Sequence, residues 1–461
     1  MEHSAVENAA ALAGLALAAH TDVTVTGADP VFASSLHLGE GAATALALLG
    51  QEVDLIRRGA GGNPQAITVD VRHAAASLHS FLLLRLNGER PPLTPRPAGQ
   101  VTGIWPCRKD RHIFLHSSFT HGPGILAELG LGMSATVQDI SARTCERNAF
   151  ELEETLAEKG LCASVCRTNE EWLAHPQGAL LTTKPLIELT KIGEAPVEPV
   201  PTGERPLSGV RVLDLTRVLA GPTIARTLAE HGADVLHITS PALPTIDLFE
   251  MDTGHGKRQA WLDLNDESRS ETLRHLISQA DVFSQGYQLG SLARRGFGPE
   301  DVARLRPGII YVSENAFGHE GPWAQRPGWE QLAQATTGVC VSQGTAAAPA
   351  LAPAAMNDYT TGYFGALGAI LALRRRATEG GSWLVTVSLS QTSMWFYRLG
   401  HRLDATSARG AGEAPDWLED RDTGYGCMTY LRPALRMSET DQHWELPTAP
   451  LGSGEPVWLD R

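Results

Sequence analysis

The second half of the chain is predicted to be an α/β domain, a doubly wound parallel sheet over residues 205–400, accompanied by a smaller α+β domain. Two observations support this. After residue 205, segments typical of buried strands alternate with helical segments, which is the pattern of a parallel sheet with helices on both faces. A proline-rich linker at 193–206 separates this pattern from a less regular first half.

The length, net charge and cysteine content of the chain limit the class of protein. The chain has 461 residues, so two or three domains are expected, and its net charge of -14 argues against a nucleic-acid partner or an anionic membrane surface. Six irregularly spaced cysteines indicate reduced thiols rather than a disulfide framework. No stretch is long and apolar enough to span a bilayer, and the N-terminus lacks a signal peptide's positive start. We expect a cytoplasmic protein.

Residues 1–95 are predicted to be a helix-rich segment with one strand at 66–71. Residues 96–195 are predicted to form the small α+β domain, with a strand at 111–116 and helices at 150–159 and 169–175. His112, His116 and His121 are interpreted as surface or strand histidines, because no carboxylate or cysteine accompanies them at metal-ligand spacing.

The regular half contains the predicted sheet. Its strands are expected at 210–216, 234–239, 259–264, 280–284, 309–313 and 384–389, with helices at 221–231 and 267–279. Ligands of such sheets bind at the carboxyl ends of the strands, which here carry glycine-rich loops at 217–222, 286–290 and 315–318. No G-x-G-x-x-G follows the first strand, which argues against a nicotinamide dehydrogenase. Residues 401–461 are expected to be an irregular wrapping tail.

The stretch 355–376, AMNDYTTGYFGALGAILALRRR, predicts a helix buried on all sides, whose glycines allow other backbone to approach closely. Asn357 and Asp358 are residue types that cap a helix start. Asp358 therefore has two interpretations: an N-cap, or a nucleophilic carboxylate at the edge of a dry site. The residue pattern alone favours the cap.

A weak internal echo relates the two halves. Arg57-Arg58 followed by GAGGNPQ and ITVDVRHAAASL are similar to Arg375-Arg376, ATEGGSW and LVTVSLSQTSM, and this alignment sets Glu40 opposite Asp358. It indicates an old duplication or two similar helix-turn-strand units.

Several motifs in one order resemble the class III CoA-transferases, which include formyl-CoA transferase, the carnitine-pathway CoA-transferase and the α-methylacyl-CoA racemases. The resemblance covers residues 205–393. It rests on RPLSGVRVLDLTRVLAGPTIARTLAEHGADVLHI (205–238), GKRQAWLDL (256–264), ADVFSQGYQLGSLARRGFGPEDVARLRPGIIYVSENAFG (280–318), GPWAQRPGWEQLAQATTG (321–338) and NDYTTGYFGALGAILAL.

The resemblance implies an acyl-CoA:carboxylate CoA-transferase of acyl-CoA metabolism. Asp358 would attack the donor thioester and pass through an aspartyl anhydride and an aspartyl-CoA thioester. Coenzyme A would be bound as the acyl-CoA substrate, without a metal, and a small carboxylic acid would be the acceptor. Family members form interlocked homodimers, so a homodimer is expected. The CoA contacts implied by matching positions are Arg217, Val218, Ala220, Leu262, Tyr287, Arg294 and Arg295.

The chain departs from the family pattern in several places. Leu219 replaces a glutamine of formyl-CoA transferase, Gln288-Leu289 replace Arg-Pro, and Trp329-Glu330 replace the His-Asp of racemases. The missing histidine places an acyl-CoA racemase or isomerase below a transferase. The family's glycine-rich loop is not recognisable, which leaves a non-catalytic acyl-CoA-binding relative as a second alternative. Residues before 205 resemble the family's C-terminal domain, so the domain order looks rearranged.

Overall fold

The computed structural model describes residues 3–17, 21–92, 98–402 and 415–459. Its largest element is a seven-stranded sheet. In spatial order the strands are Lys257–Trp261, Asp234–Thr239, Arg211–Asp214, Val282–Gln285, Ile310–Asn315, Ser382–Ser388 and Glu188–Gly193. The first six are parallel, and the last pairs antiparallel at one edge. The predicted α/β domain with a large parallel sheet is confirmed.

Helices cover both faces of this sheet, because successive side chains of each buried strand point to opposite faces. Val212 and Val282 pack in one core with Ile224 of the helix Ala220–Glu230. The neighbouring residues Leu213 and Phe283 pack on the other face, in a core that includes Leu273, Leu276 and Val302. The helices behind this second core are Glu267–Ile277 and Pro299–Leu305.

The buried helix predicted around Asp358 runs over Met356–Glu379 and is here called the Asp358 helix. Its glycines permit close packing: a Cβ on Gly362 would lie 2.5 Å from Thr223 Cβ, and one on Gly365 would lie 2.5 Å from Ile224 Cδ1. The close approach expected from the glycines is therefore confirmed. The capping interpretation is wrong, since the N-cap is Ala355 and makes no side-chain cap. Asp358 lies inside the first helical turn.

The N-terminal segment does not form a separate core. Its long helix, Leu38–Gly59, packs in the same hydrophobic core as the Asp358 helix. The sequence predicted one strand here, but the structure also has Asp22–Thr26 and Arg85–Leu86. These short strands were missed because their partners are distant: Ala66–Asp70 pairs with Asp22–Thr26 and with Leu435–Met437 of the tail. The tail strands Leu418–Thr423 and Gly426–Leu431 form a sheet with Arg85–Leu86.

The α+β unit in the middle of the first half has its own core. An antiparallel sheet of Gly103–Pro106, His112–Leu115 and Ala163–Val165 packs against the helices His121–Glu128, Val137–Cys145 and Ala149–Glu158. The helices Asn169–Ala174 and Pro176–Thr182 follow. Residues 188–193, predicted within this unit, instead form the antiparallel edge strand of the large sheet.

The remaining elements are short. They are the helices His3–Leu12, Val71–Ser77, Ser80–Leu83, Asp247–Thr253, Glu330–Thr337, Val339–Gln343 and Leu389–Arg398, and the 3-10 turns Gly99–Val101, Arg108–Asp110, Ala293–Arg295 and Pro415–Trp417. All six cysteines are free thiols. None of the helices in the described ranges combines the length and the apolar character needed to cross a membrane.

The internal echo corresponds to two units of the same kind. Leu38–Gly59 is followed by the strand Ala66–Asp70 and the helix Val71–Ser77. The Asp358 helix is followed in the same way by Ser382–Ser388 and Leu389–Arg398. In both units the last strand residue, Asp70 or Ser388, caps the following helix with its side chain.

Candidate active site

The site lies where the strand order of the large sheet changes direction. Arg211–Asp214 and Val282–Gln285 are neighbours inside the sheet. The next parallel strands after Arg211–Asp214 in the chain lie on one side of this pair, and those after Val282–Gln285 lie on the other side. The loops that leave such neighbouring strands diverge and leave a crevice at their carboxyl ends. A cavity of about 260 Å³ occupies this position. The start of the Asp358 helix closes one side of it.

Five of the eight predicted site residues line this one cavity. They are Asp358, Arg217, Val218, Ala220 and Tyr287. The three residues at which the chain departs from the family pattern beside the reacting centre, Leu219, Gln288 and Leu289, line it as well. Loops from two strands and one helix start thus bring distant parts of the sequence to one place.

Leu262, Arg294 and Arg295 do not line the cavity. Leu262 is buried in the second core of the sheet. Arg295 donates hydrogen bonds to the carbonyl of Leu264 and, at 2.9 Å, to Oδ1 of Asn265. These residues therefore lie along the adjacent strand ends. Arg294 is exposed beside them in the turn Ala293–Arg295.

The loop after Arg211–Asp214 has a strained backbone, and the side chains of Asp214 and Lys257 stabilise it. Val218 has φ +75°, a left-handed conformation that is unfavourable for a β-branched residue and is often found at functional sites. Asp214 accepts hydrogen bonds from the N–H and Oγ1 of Thr216, at 3.0 and 2.5 Å. The ammonium group of buried Lys257 lies 2.8 Å from both Asp214 Oδ2 and the carbonyl oxygen of Pro222.

The ion pair with Lys257 determines the charge state of Asp214. Burial alone would raise the pKa of Asp214, but Lys257 and His237 beside it, together with hydrogen bonds from Lys257 and Thr216, lower it overall. The carboxylate is therefore ionised, and the ammonium group links the loop before Val218 to the helix after it.

The Asp358 carboxyl is one of three acids gathered at the cavity. Burial raises its pKa well above the ordinary value, and Glu330 and Glu314 raise it further. Burial also raises the pKa of Glu330 and of Glu314, each to about 7. In the described chain the Asp358 side chain makes no hydrogen bond. A weakly solvated carboxylate without a donor is more nucleophilic than one held by hydrogen bonds.

Glu330 also supports the start of the Asp358 helix. Its Oε1 accepts a hydrogen bond from Gln334 Nε2 at 2.7 Å and one from the backbone N–H of Asn357 at 3.3 Å. An orphan N–H of the first helical turn is thereby satisfied by a side chain from another helix. Glu330 thus positions the residue next to Asp358 and at the same time raises the pKa of Asp358.

The pKa shift of Asp358 predicts how its reactivity depends on pH. Only the ionised carboxyl is a nucleophile, so the rate of its acylation should rise with pH up to and through the raised pKa. Glu330→Gln removes a neighbouring negative charge but keeps an oxygen for the Asn357 N–H. We expect it to move the acid limb of the rate profile to lower pH by about one unit. Single-turnover labelling at a series of pH values measures this, and an unmoved limb would contradict the coupling.

Aromatic residues that were not predicted form the opposite wall. Phe119 and His121, from the α+β unit, line the cavity together with Trp329. Trp329 stacks on His116 with ring centroids 5.0 Å apart. His121, interpreted from the sequence as a surface or strand histidine, begins the helix His121–Glu128 and is half-buried at this wall. Burial lowers its pKa. Nothing in the sequence order indicated that this unit reaches the sheet.

Glu314 was also missed, although a signal was present. It is the acidic residue of the strand Ile310–Asn315, one position before the end of that strand. That position is at the sheet edge where ligands bind. Its side chain lines the cavity with Asp358.

The counterpart position, Glu40, has different surroundings. Its Oε2 lies 2.5 Å from Nδ1 of His37, and this bond contributes to a lowered pKa against the opposing effect of burial. Asp29, His37 and Glu40 have oxygen and nitrogen atoms close enough together to hold a metal ion. Asp29, however, accepts hydrogen bonds from the backbone N–H groups of Val31, Gly39 and Glu40. Asp29 is thus a cap for the helix Leu38–Gly59.

Comparisons with known proteins agree with this geometry. Residues 207–425 match the model of CoA-transferase family III. The chain is 32% identical over 395 residues to a protein of Hypoxylon pulicicidum named acetyl-coenzyme A transferase nodX, covering 75% of this chain and 66% of that protein. It is 35% identical over 330 residues to an acyl-CoA transferase of Gibberella moniliformis, covering 64% of this chain and 57% of the relative. The chain thus spans about two thirds or less of the length of these relatives.

The chain is also similar to solved structures over part of its length. The crystal structure of hypothetical protein Rv3272 from Mycobacterium tuberculosis is 27% identical, with a TM-score of 0.40 over 41% of this chain and 55% of that one. The matched segment, residues 207–425, contains the six parallel strands of the large sheet, Asp358 and most of the residues that line the cavity. The chain belongs to CoA-transferase family III.

Proposed function

We propose that the protein transfers CoA from an acyl-CoA donor to a small carboxylic acid, with Asp358 as the nucleophile. The observation that carries this proposal is the position of the Asp358 carboxyl. It faces a cavity at the carboxyl ends of the parallel strands, at the start of a buried helix and without a hydrogen-bond donor among the described residues. The named relatives are CoA or acyl-CoA transferases.

In the proposed reaction, an oxygen of Asp358 attacks the carbonyl carbon of the donor thioester. The carbon–sulfur bond breaks, CoA leaves as the thiolate, and an aspartyl anhydride forms. The thiolate then attacks the Asp358 carbonyl carbon, releasing the donor acid and leaving an aspartyl-CoA thioester. The acceptor carboxylate repeats these two steps in reverse order, so Asp358 is regenerated and no net proton is consumed.

The chain supplies the surroundings that these steps need. Backbone N–H groups beside Gly286 and Gly328, which line the cavity, are candidate donors to the oxyanion that forms at each attack. The loop with Arg217, Val218 and Ala220 forms the wall against which the thiol end of CoA would lie. We assign Leu262, Arg294 and Arg295, along the next strand ends, to the nucleotide end of CoA. Exposed Arg294 is available for its phosphates.

By the family's pattern, we also propose that the active protein is a cytoplasmic homodimer. The α+β unit already contributes Phe119 and His121 to the cavity within one chain. The proposed dimer would therefore not be needed to complete this wall.

The proposal is tested by intact-protein mass spectrometry after incubation with acyl-CoA donors, with hydroxylamine as a trap. A covalent acyl or CoA adduct should form, map by peptide analysis to Asp358, and be absent from Asp358→Ala. If CoA thioesters bind but never label Asp358, the transferase assignment fails. Exchange of deuterium at the α-carbon of the donor in that case would identify a racemase or isomerase instead.

A further inference from the structure

The cavity concentrates negative charge at one end. Glu314 and Asp358 line it, and Glu330 is close enough to raise the pKa of Asp358. The causes that raise the pKa of these three groups are burial and, for Asp358, the two neighbouring acids, with no contribution from a lysine or arginine. Among the described residues, no lysine or arginine is paired with Glu314, Glu330 or Asp358, although Arg217 and Arg326 line the same cavity.

The fold fixes the Glu314 carboxyl at this point. Successive residues of a strand face opposite sides, and Ser313 faces away from the cavity, with its Oγ 2.6 Å from Gln285 Nε2 and 2.8 Å from His319 Nε2. Glu314 therefore faces the cavity. Gly286 leaves the space that the carboxyl needs, because a Cβ at that position would lie 2.8 Å from Glu314 Oε2. Within the described ranges the carboxyl accepts no hydrogen bond.

The arginines of the cavity have other partners. Arg217 donates to the carbonyl of Pro244 and lies over the ring of Phe119, at 5.1 Å from its centroid. Arg326 forms an ion pair with Glu154 and lies 4.2 Å from the centroid of the Trp323 ring. These contacts hold both guanidinium groups in place, although Arg217 Nε has no hydrogen-bond partner among the described residues.

The lining nearest Asp358 includes apolar side chains, while Tyr287, Gln288 and Asn315 are polar residues of the same cavity. Leu215, Leu219 and Leu389 line the cavity beside Asp358, and the aromatic wall of Phe119 and Trp329 faces them. The three leucines and Phe119 gain free energy by covering hydrocarbon and carry no side-chain donor for a second acid group.

We infer that the site selects an uncharged, apolar acyl group and rejects acyl groups that carry a second carboxylate, with Glu314 as the residue that enforces the rejection. This inference rests on the proposed function, since it describes the acyl pocket of that reaction. A monocarboxylic acid brings only the carboxylate that reacts, whereas a dicarboxylic acid adds a negative charge next to Glu314 and Asp358. Like charges brought together in a partly desolvated site are strongly disfavoured.

Butyryl-CoA and succinyl-CoA form a matched pair for the test, because both acyl groups have four carbons and differ by the second carboxylate. We expect butyryl-CoA to label and turn over about a hundredfold more efficiently, measured as kcat/KM with one common acceptor. Glu314→Gln keeps the size of the side chain and should reduce this preference about tenfold. Glu271→Gln, an equivalent change on an exposed side chain of the helix Glu267–Ile277, should leave the preference unchanged.

A binding measurement separates this inference from the proposed function. The unreactive thioethers S-butyl-CoA and S-(3-carboxypropyl)-CoA are compared by calorimetry with the wild-type protein and with Glu314→Gln. Preference for S-butyl-CoA that weakens in the variant supports the pocket assignment even if Asp358 is never acylated. Equal affinity for the two thioethers, or a preference that Glu314→Gln leaves intact, would overturn the inference even if the transferase reaction is observed.

Discussion

Asp358→Ala is expected to lower kcat/KM for CoA transfer by about 10⁴-fold or more, because it removes the group that forms both covalent intermediates. Losses of this size are typical when a covalent nucleophile is deleted. Glu330 and Glu314 are the nearest acids, but Glu330 is held by Gln334 and Asn357. Acyl exchange between an acyl-CoA and a labelled acid, followed in steady state, measures the effect.

Glu40→Gln is the matched control for this change. Glu40 lies in the first turn of the helix Leu38–Gly59, as Asp358 does in its own helix, but it is paired with His37 and does not line the cavity. We expect it to keep kcat/KM within about twofold of the wild type. A large loss in Glu40→Gln, or substantial exchange by a well-folded Asp358→Ala, would show that Asp358 is not the nucleophile.

The parts of the fold that were predictable are those with local signals. The predicted strand at 234–239 coincides with Asp234–Thr239, and the glycine-rich apolar stretch around Asp358 forms the helix Met356–Glu379. Such buried strands and apolar helices need only the residues of their own segment to be recognised. The position of Asp358 could be predicted for the same reason, although its capping role was wrong.

The parts that were not predictable depend on pairing between distant segments. The residues of Glu188–Gly193 do not indicate that this strand pairs with Ser382–Ser388. Leu435–Met437 has too few residues to be recognised as a strand without its partner, Ala66–Asp70. The site shows the same limit. The approach of Phe119 to Trp329, and of Glu314 to Asp358, exists only after the sheet and the α+β unit have packed together.

Lys257→Met is expected to lower the free energy of unfolding by about 3–5 kcal/mol, because it leaves a buried charge without its partner. The side chains of Lys257 and Asp214 are 1% and 0% exposed, and their charged atoms lie 2.8 Å apart. The same change removes the hydrogen bond to Pro222 that supports the loop containing strained Val218. Denaturant unfolding measures the loss of stability, and weaker labelling of Asp358 would report the loosened loop.

The pH dependence of this loss identifies its cause. In the wild type the pKa of Asp214 is lowered, so its stabilising effect is present above its unfolded pKa of about 3.9 and is lost as the pH falls. Without Lys257, burial should raise that pKa, and the variant should gain stability on acidification as the carboxyl is protonated. The difference in stability between the two proteins should therefore shrink toward low pH.

Lys257→Met combined with Asp214→Asn should recover part of the lost stability at neutral pH. Lys191→Met, which removes a surface ion pair with Glu194, should cost at most about 1 kcal/mol. A loss that is independent of pH, or no recovery in the double variant, would mean that packing of the Lys257 stem rather than its charge stabilises this loop.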